Sequence, residues 1–315
     1  MTAPELPAWL DALFPSGARR RWLDVGGVRM HVAEWGPPGP SGPPRAGDDR
    51  PAVVLVHGNP SWGLLWRKVV GELLADGVRI VVPDLIGLGL SDKPASAEVH
   101  RLEGHAAWFG RMLDEVVPGP FVLCAQDWGG PIALLALADG GRLARLRGLV
   151  LLNTVVSPPR PGFKATTFHR LARLPIVSDL LFRAGGFPQN VMTLVQGRRT
   201  SLLGAARRGY IWPLRRLRDR VAPLALARMV PDSLAHPSVP ALERVQQVVT
   251  SFGGPIELVW GTRDPVLGSV VRHLERLLPS ARVTRTDAGH FLQEEVPGPI
   301  ADAIRRVLSP AGAPG

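Results

Sequence analysis

The 315-residue chain has little of three residue types that often mark function. It has one cysteine, Cys124, so no intrachain disulfide can form, which fits a reducing compartment. It has one tyrosine, Tyr210, which excludes any mechanism that needs a pair of tyrosines. Only three of its 37 basic residues are lysines, so arginine supplies most of the basic charge behind its formal net charge of +10.

Long apolar runs and a basic leader are also missing. No stretch approaches the ~20 apolar residues of a membrane-spanning helix. The first residues carry Glu5 and Asp11 among prolines, without a basic start followed by an apolar core, so no secretory signal is visible. We therefore predict a soluble, cytoplasmic protein that has no membrane partner.

The arginine excess suggests a search for an anionic partner. Basic patches attract nucleic acids, anionic lipids and acidic substrates. No nucleic-acid recognition module accompanies the charge in this sequence. We therefore expect arginines spread over solvated helix faces, and no nucleic-acid partner.

The chain begins with a predicted hairpin. Two strand-like runs, Arg21–Val25 and Val28–Trp35, flank Gly26-Gly27, a dipeptide suited to the positive φ angles of a tight turn. The segment 36–51 is rich in proline and glycine and has no periodicity, so we expect a surface loop there.

Strands and helices then alternate along the rest of the chain. This alternation predicts an α/β fold with a mostly parallel central sheet and helices on both faces. The predicted strands are Ala52–Val56, Val78–Val82, Pro120–Gln126, Leu146–Leu152, Ile256–Trp260 and Arg282–Thr286. The predicted helices lie near Leu65–Ala75, Val99–Val117, Gly129–Ala138, Ser269–Leu278 and Pro299–Leu308.

One connection is too long for a simple loop. About a hundred residues with helical patterning, basic residues and several prolines separate the strand that ends near Asn153 from the one that begins at Ile256. Such an excursion indicates an inserted helical cap, which we place at 157–236. Residues 1–156 and 237–315 then form the core domain. A homo-oligomer is compatible with the basic, apolar cap.

The segment Cys124–Gly130 carries the strongest chemical signal. An apolar strand ends at Gln126, a helix begins near Gly129, and Asp127 stands between them where a nucleophile elbow holds its reactive residue. An aspartate with a reference pKa of ~3.9 is anionic at neutral pH and needs no base to activate it. An aspartate here is also typical of a helix N-cap, but the flanking small residues favour the nucleophile.

Other polar candidates follow other predicted strands, and parallel sheets place ligands at those ends. Asn59 lies in His57–Trp62, where a backbone amide can serve an oxyanion hole. Asp264 follows a later strand and fits an acid, although it could merely start a turn. The competing position, Asn153, cannot act as a carboxylate. His290 follows the last strand and is the base candidate, although loop histidines have many structural roles.

These segments together resemble the haloalkane dehalogenases of the α/β-hydrolase superfamily. The resemblance rests on His57–Trp62, Pro83–Pro94, Gln126–Gly130, Trp260–Pro265 and Asp287–Phe291. It implies an α/β-hydrolase fold with Asp127 as nucleophile, His290 as base and Asp264 as the acid that orients the base. It also implies Asn59 and Trp128 as donors that stabilise the halide, in the subfamily with an Asp-His-Asp triad and an Asn-Trp pair.

The reaction that the resemblance implies converts a haloalkane and water into an alcohol, a halide ion and a proton through an alkyl ester of Asp127. It needs no organic cofactor or metal, and the sequence has no evident metal-ligand cluster. Two alternatives stay open. One is an epoxide hydrolase, which by resemblance needs two cap tyrosines, and the other is a receptor of this fold that binds a ligand without turnover.

Overall fold

The computed structural model describes residues 5–37, 50–160, 167–174 and 176–309, with the side chains of 167–169 left aside. In these residues the chain forms eight strands: β1 Arg19–Asp24, β2 Arg29–Trp35, β3 Ala52–Val56, β4 Ile80–Pro83, β5 Phe121–Gln126, β6 Leu146–Leu152, β7 Ile256–Gly261 and β8 Arg282–Thr286. The α-helices there are α1 Ala8–Asp11, α2 Arg67–Leu73, α3 Leu102–Val116, α4 Gly129–Leu137, α5 Thr167–Ala172, α6 Gly204–Ile211, α7 Val221–Arg228, α8 Val239–Ser251, α9 Val271–Leu277 and α10 Pro297–Leu308. Short 3₁₀ turns and one π-helical segment, Asp179–Ala184, connect several of them.

All eight strands join one sheet in the order β1-β2-β4-β3-β5-β6-β7-β8. The predicted hairpin forms the antiparallel edge, and β2 also runs antiparallel to β4, while the remaining neighbours are parallel. Gly26 and Gly27 make the hairpin turn with φ angles of 105° and 82°, which a residue with a side chain adopts only under strain. The predicted α/β fold class with a mostly parallel sheet is confirmed.

The two faces of the sheet bury alternate residues of each strand. Val54 and Val56 of β3 pack with α3, α4, α8 and α9, whereas Val53 and Leu55 pack with α2 and α10. Both faces are therefore dry, which explains why the central strands are apolar throughout rather than alternating. Cys124 lies fully buried in β5, and burial raises its thiol pKa well above the ordinary range, so it acts as core packing.

The chain between β6 and α8 consists of short helices outside the sheet. A small cluster of its own buries Ala172, Phe182, Leu224 and Ala227 with Phe187 packed against it. Its division from the core at 157 and 236 stays a prediction. No helix in the described residues is long and apolar enough to cross a membrane.

Element bounds differ modestly from those predicted, and the short helix α1 and helix α8 were not predicted by themselves. Helix α8 follows the proposed cap, buries Val245 and Val249, and belongs to the same apolar cluster as α4. It was included in the long helical excursion because its pattern continues that of the preceding residues. The predicted surface loop falls mostly on residues 38–49, which lie outside the described part of the chain.

Candidate active site

Polar residues from five different strand ends meet at one edge of the sheet. Each lies within four residues of the end of a parallel strand, so the topology brings together positions that are far apart in sequence. They are Asn59 after β3, Asp127 after β5, Asn153 after β6, Asp264 after β7 and His290 after β8.

Asp127 occupies a sharp turn between β5 and α4. Its φ of 50° lies in the left-handed region that non-glycine residues rarely adopt. The hydroxyl of Thr154 donates to the Asp127 carbonyl at 2.6 Å, and the Asp127 amide donates to the carbonyl of Asn153 at 3.1 Å. A Cβ on Gly129 would come within 2.5 Å of the Val56 carbonyl, so only glycine fits there. Packing therefore maintains a conformation that strains the nucleophile candidate.

The Asp127 carboxylate lies under two backbone amides. The amide of Asn59 donates to Oδ1 at 2.7 Å, and the amide of Trp128 also bonds the carboxylate. Burial raises the pKa of Asp127 above its ordinary value, while His290 and the two amides oppose that rise. The same amides face the oxygen that would become an oxyanion if water attacked an ester of this side chain.

His290 lies between two carboxylates. Its Nδ1 is 2.8 Å from Oδ2 of Asp264, and its Nε2 is 3.7 Å from Oδ2 of Asp127. Burial lowers the pKa of His290, but the two carboxylates more than offset this and raise it to about 9. Burial works to raise the pKa of Asp264, yet contact with His290 and hydrogen bonds hold it below its ordinary value. The geometry thus brings the predicted nucleophile, base and acid together.

Asn153 contributes a contact that the sequence did not predict. Its Nδ2 donates to Oδ2 of Asp264 at 2.7 Å and to the carbonyl of Gly261 at 3.0 Å, while its Oδ1 accepts from the Gly261 amide at 2.7 Å. Asn153 is buried with a φ of 29°, a conformation that asparagine tolerates better than most residues. Asn153 therefore holds the carboxylate of Asp264 in position and does not itself serve as the acid. Its position at a strand end was the available sequence signal.

The loop that carries His290 is bonded to the segment 195–198. The His290 amide donates to the Val195 carbonyl at 2.8 Å, and the Phe291 amide donates to the side chain of Gln196 at 3.0 Å. The buried carboxylate of Glu295 accepts from the amides of Gly289, at 2.7 Å, and of residues 197 and 198. Sequence analysis missed Glu295, although an acidic pair five residues after a candidate base was a visible signal.

The two predicted halide donors border the same space as Asp127. Trp128 is nearly buried, and its ring lines the cavity together with Asn59. One hydrogen of the Asn59 amide group is donated to the Pro223 carbonyl at 3.0 Å, so α7 orients this side chain. The second hydrogen stays available for an anion because a carboxamide carries two.

A cavity of about 1110 Å³ opens above these residues. Asn59, Asp127, Trp128 and His290 form its floor, and its walls are largely apolar. Phe187 and Met192, which lie between β6 and α8, are among the apolar residues that line it. Three other large side chains of this part of the chain do not line it: Phe182 is buried in a cluster with residues of α5 and α7, Trp212 packs on the core, and Leu203 is exposed.

Comparison with known proteins agrees with this geometry. A family model for the α/β hydrolase fold matches residues 51–297. A haloalkane dehalogenase of Mycobacterium marinum is 31% identical over 285 residues, which cover 89% of this chain and 89% of that protein. The crystal structure of a haloalkane dehalogenase from Bradyrhizobium elkani superposes with a TM-score of 0.79 at 25% identity, covering 93% of this chain and 98% of that one.

Another relative is named for a different reaction. A cis-3-alkyl-4-alkyloxetan-2-one decarboxylase of Xanthomonas campestris is 32% identical over 299 residues, covering 91% of this chain and 94% of that protein. The fold and the matching family model define an α/β hydrolase. Within that class, the chain belongs to the haloalkane dehalogenase family.

Proposed function

We propose that this protein is a haloalkane dehalogenase that hydrolyses carbon–halogen bonds through an ester of Asp127. The observation that carries the proposal is the arrangement of Asp127 within 3.7 Å of His290, which is itself 2.8 Å from Asp264. An anionic carboxylate facing an apolar cavity suits attack on an sp³ carbon.

In the first step the Asp127 carboxylate attacks the halogen-bearing carbon. A carbon–oxygen bond forms, the carbon–halogen bond breaks, and the halide leaves with the bonding electrons. The indole N–H of Trp128 and the amide group of Asn59 are the donors that we assign to the halide. Halide stabilisation by donors matters because the charge appears only during the reaction.

In the second step water attacks the carbonyl carbon of the ester. His290 takes a proton from the water, and Asp264 holds the ring and stabilises the cation that forms. Esterification removes the negative charge of Asp127, one of the causes that raise the pKa of His290, so the base becomes easier to deprotonate when it is needed. The amides of Asn59 and Trp128 stabilise the oxyanion, and departure of the alcohol restores Asp127.

The remaining parts of the proposal are the cap at 157–236, a small uncharged haloalkane as the minimal substrate, and cytoplasmic localisation. A homo-oligomer and the absence of a nucleic-acid partner stay predictions. An epoxide hydrolase is disfavoured because Tyr210, the one tyrosine of the chain, donates its hydroxyl to Glu294 at 2.6 Å instead of lining the cavity.

The decarboxylase relative supplies a second candidate. The cavity of about 1110 Å³ exceeds what a short haloalkane requires and has room for two alkyl chains on a four-membered lactone. That reaction splits the ring into an alkene and carbon dioxide and consumes no water. A cis-3,4-dialkyloxetan-2-one should therefore be offered alongside haloalkanes, with the alkene measured by gas chromatography.

The experiment that tests the proposal is halide release from a panel of short bromoalkanes, with Asp127→Asn as the control. We expect release by the wild type and none by the variant. Alkene formation from the lactone without halide release would favour the second candidate. Folded wild type that binds a haloalkane without either reaction would favour a receptor.

A further inference from the structure

Basic side chains surround one part of the cavity. Three arginines and one histidine line it, and we call them the basic rim: Arg160, Arg272, His273 and Arg276. Among the described residues that line the cavity, the only acidic side chain is Asp127 on its floor. The cavity therefore has a cationic part of its wall as well as an anionic nucleophile on its floor.

The rim combines two separate parts of the chain. Arg272 and Arg276 are one helical turn apart on α9 and so lie on the same face of that helix, while Arg160 follows β6. His273 links the parts because its Nε2 is 2.9 Å from the Ser157 hydroxyl. Burial lowers the pKa of His273, and Arg160 and Arg276 lower it further, which places both guanidinium groups near this ring.

These guanidinium groups have no counterion among the described residues. Across the described ranges, no carboxylate lies within 4.0 Å of a nitrogen of Arg160, Arg272 or Arg276. The nearest acidic neighbour on the helix, Glu275, is paired with Arg285 instead. The rim is thus free to bind an external anion.

We propose that the basic rim binds an anionic substituent of the substrate, a carboxylate, while Asp127 attacks a halogen-bearing carbon at the other end of the same molecule. This proposal rests on the proposed function and changes its preferred substrate from a small uncharged haloalkane to an ω-halocarboxylate. Guanidinium groups suit this task because their paired N–H donors match the two oxygens of a carboxylate. The apolar walls between rim and floor would hold the connecting methylene chain.

The test compares ω-bromoalkanoates with the corresponding ω-bromoalkanamides, which have nearly the same shape without the charge. We expect kcat/KM to favour the acid by about tenfold at the best chain length, an advantage typical of a charged hydrogen-bonded contact. The preference should shrink in high salt because the rim arginines are exposed. Equal kcat/KM values for acid and amide at every chain length would overturn the proposal.

Two double variants separate a local site from general attraction. Arg272→Gln with Arg276→Gln should bring the ratio of acid to amide towards one. Arg216→Gln with Arg218→Gln removes the same charge from exposed positions away from the cavity and should keep the ratio of the wild type. An equal loss in both double variants would contradict a local site.

Binding without reaction distinguishes the rim from the dehalogenase proposal. Titration calorimetry with decanoate and decanamide, neither of which carries a halogen, reports on the rim alone. Tighter binding of decanoate that disappears in the α9 double variant supports the rim whatever the turnover. Equal affinity overturns the rim, even if bromoalkanes are hydrolysed.

Discussion

The charged side chains on the floor of the cavity are paired and buried, whereas those of the basic rim are unpaired and exposed. On the floor, Asp127 and His290 lie within 4 Å of a partner of opposite charge, and both are mostly buried. Asp264, which does not line the cavity, is buried beside His290 and pairs with it. On the rim, exposed arginines have no carboxylate partner in the part of the chain that the structure describes. Buried charges must be compensated inside the protein, whereas exposed charges can be left for a ligand. Substitutions on the floor should therefore be costly, and substitutions on the rim should mainly change selectivity.

The largest expected effect follows from removing the base on the floor. His290→Gln should lower steady-state turnover by about 10³-fold because the ester still forms but no base activates water. Halide release should then stop after one equivalent, and intact-mass spectrometry should detect the alkylated protein. His236→Gln, which changes a histidine outside the cavity, should turn over normally. Steady turnover by His290→Gln would show that the base lies elsewhere.

The next effect concerns Asp264, the acid that pairs with His290. Its negative charge can be moved to the neighbouring position 153 instead of being removed. Asp264→Asn should lower kcat by about 10²-fold because the imidazolium loses its stabilising partner. Asn153 bonds Asp264 at 2.7 Å, and its positive φ also suits aspartate. Adding Asn153→Asp should therefore recover about tenfold of kcat. A double variant that is folded but no more active than Asp264→Asn would contradict this.

The charged floor should also make stability depend on pH. The pKa of His290 is raised to about 9 in the folded protein, above its unfolded value. Its contribution is therefore fully present below pH ~6.5 and is lost as pH rises through about 9, amounting to a few kcal/mol. Urea unfolding of the wild type and His290→Gln should show a difference in free energy that narrows across this window. A difference that stays constant with pH would indicate that the pKa of His290 is not raised in the folded protein.

The smallest effect is expected on the rim. Arg272→Gln should change the free energy of unfolding by no more than about 0.5 kcal/mol because the side chain is exposed and unpaired. Thermal denaturation of the variant against the wild type measures this directly. A loss of several kcal/mol in the free energy of unfolding would mean that Arg272 stabilises the fold. The rim would then not differ from the floor in this respect.

The same contrast separates what the sequence could predict from what it could not. Asp127, Asp264 and His290 were predictable because each follows a predicted strand, and parallel strands bring their carboxyl ends to one edge of the sheet. The fold was predictable for the same reason, since alternating apolar strands and helices define it. The rim could not be predicted, because Arg160 and α9 meet only through the packing of the chain that follows β6.

Other contacts were hidden for a related reason. Asn153 was read as a position without a carboxylate, whereas its amide supports the acid. Glu295 accepts hydrogen bonds from three backbone amides. The acidic pair is visible in the sequence, but the sequence does not show which backbone amides it will contact. Such roles depend on which unpaired amide lies nearby after folding, and this is a property of tertiary structure.

The proposed mechanism depends most directly on the covalent ester of Asp127. A single turnover of a bromoalkane with excess enzyme in H₂¹⁸O, followed by mass spectrometry, tests it without any variant. The ester mechanism predicts ¹⁸O in the side chain of Asp127 and unlabelled oxygen in the alcohol, because water attacks the ester carbonyl. Labelled alcohol with an unlabelled Asp127 would mean direct attack of water on the substrate and would contradict the mechanism.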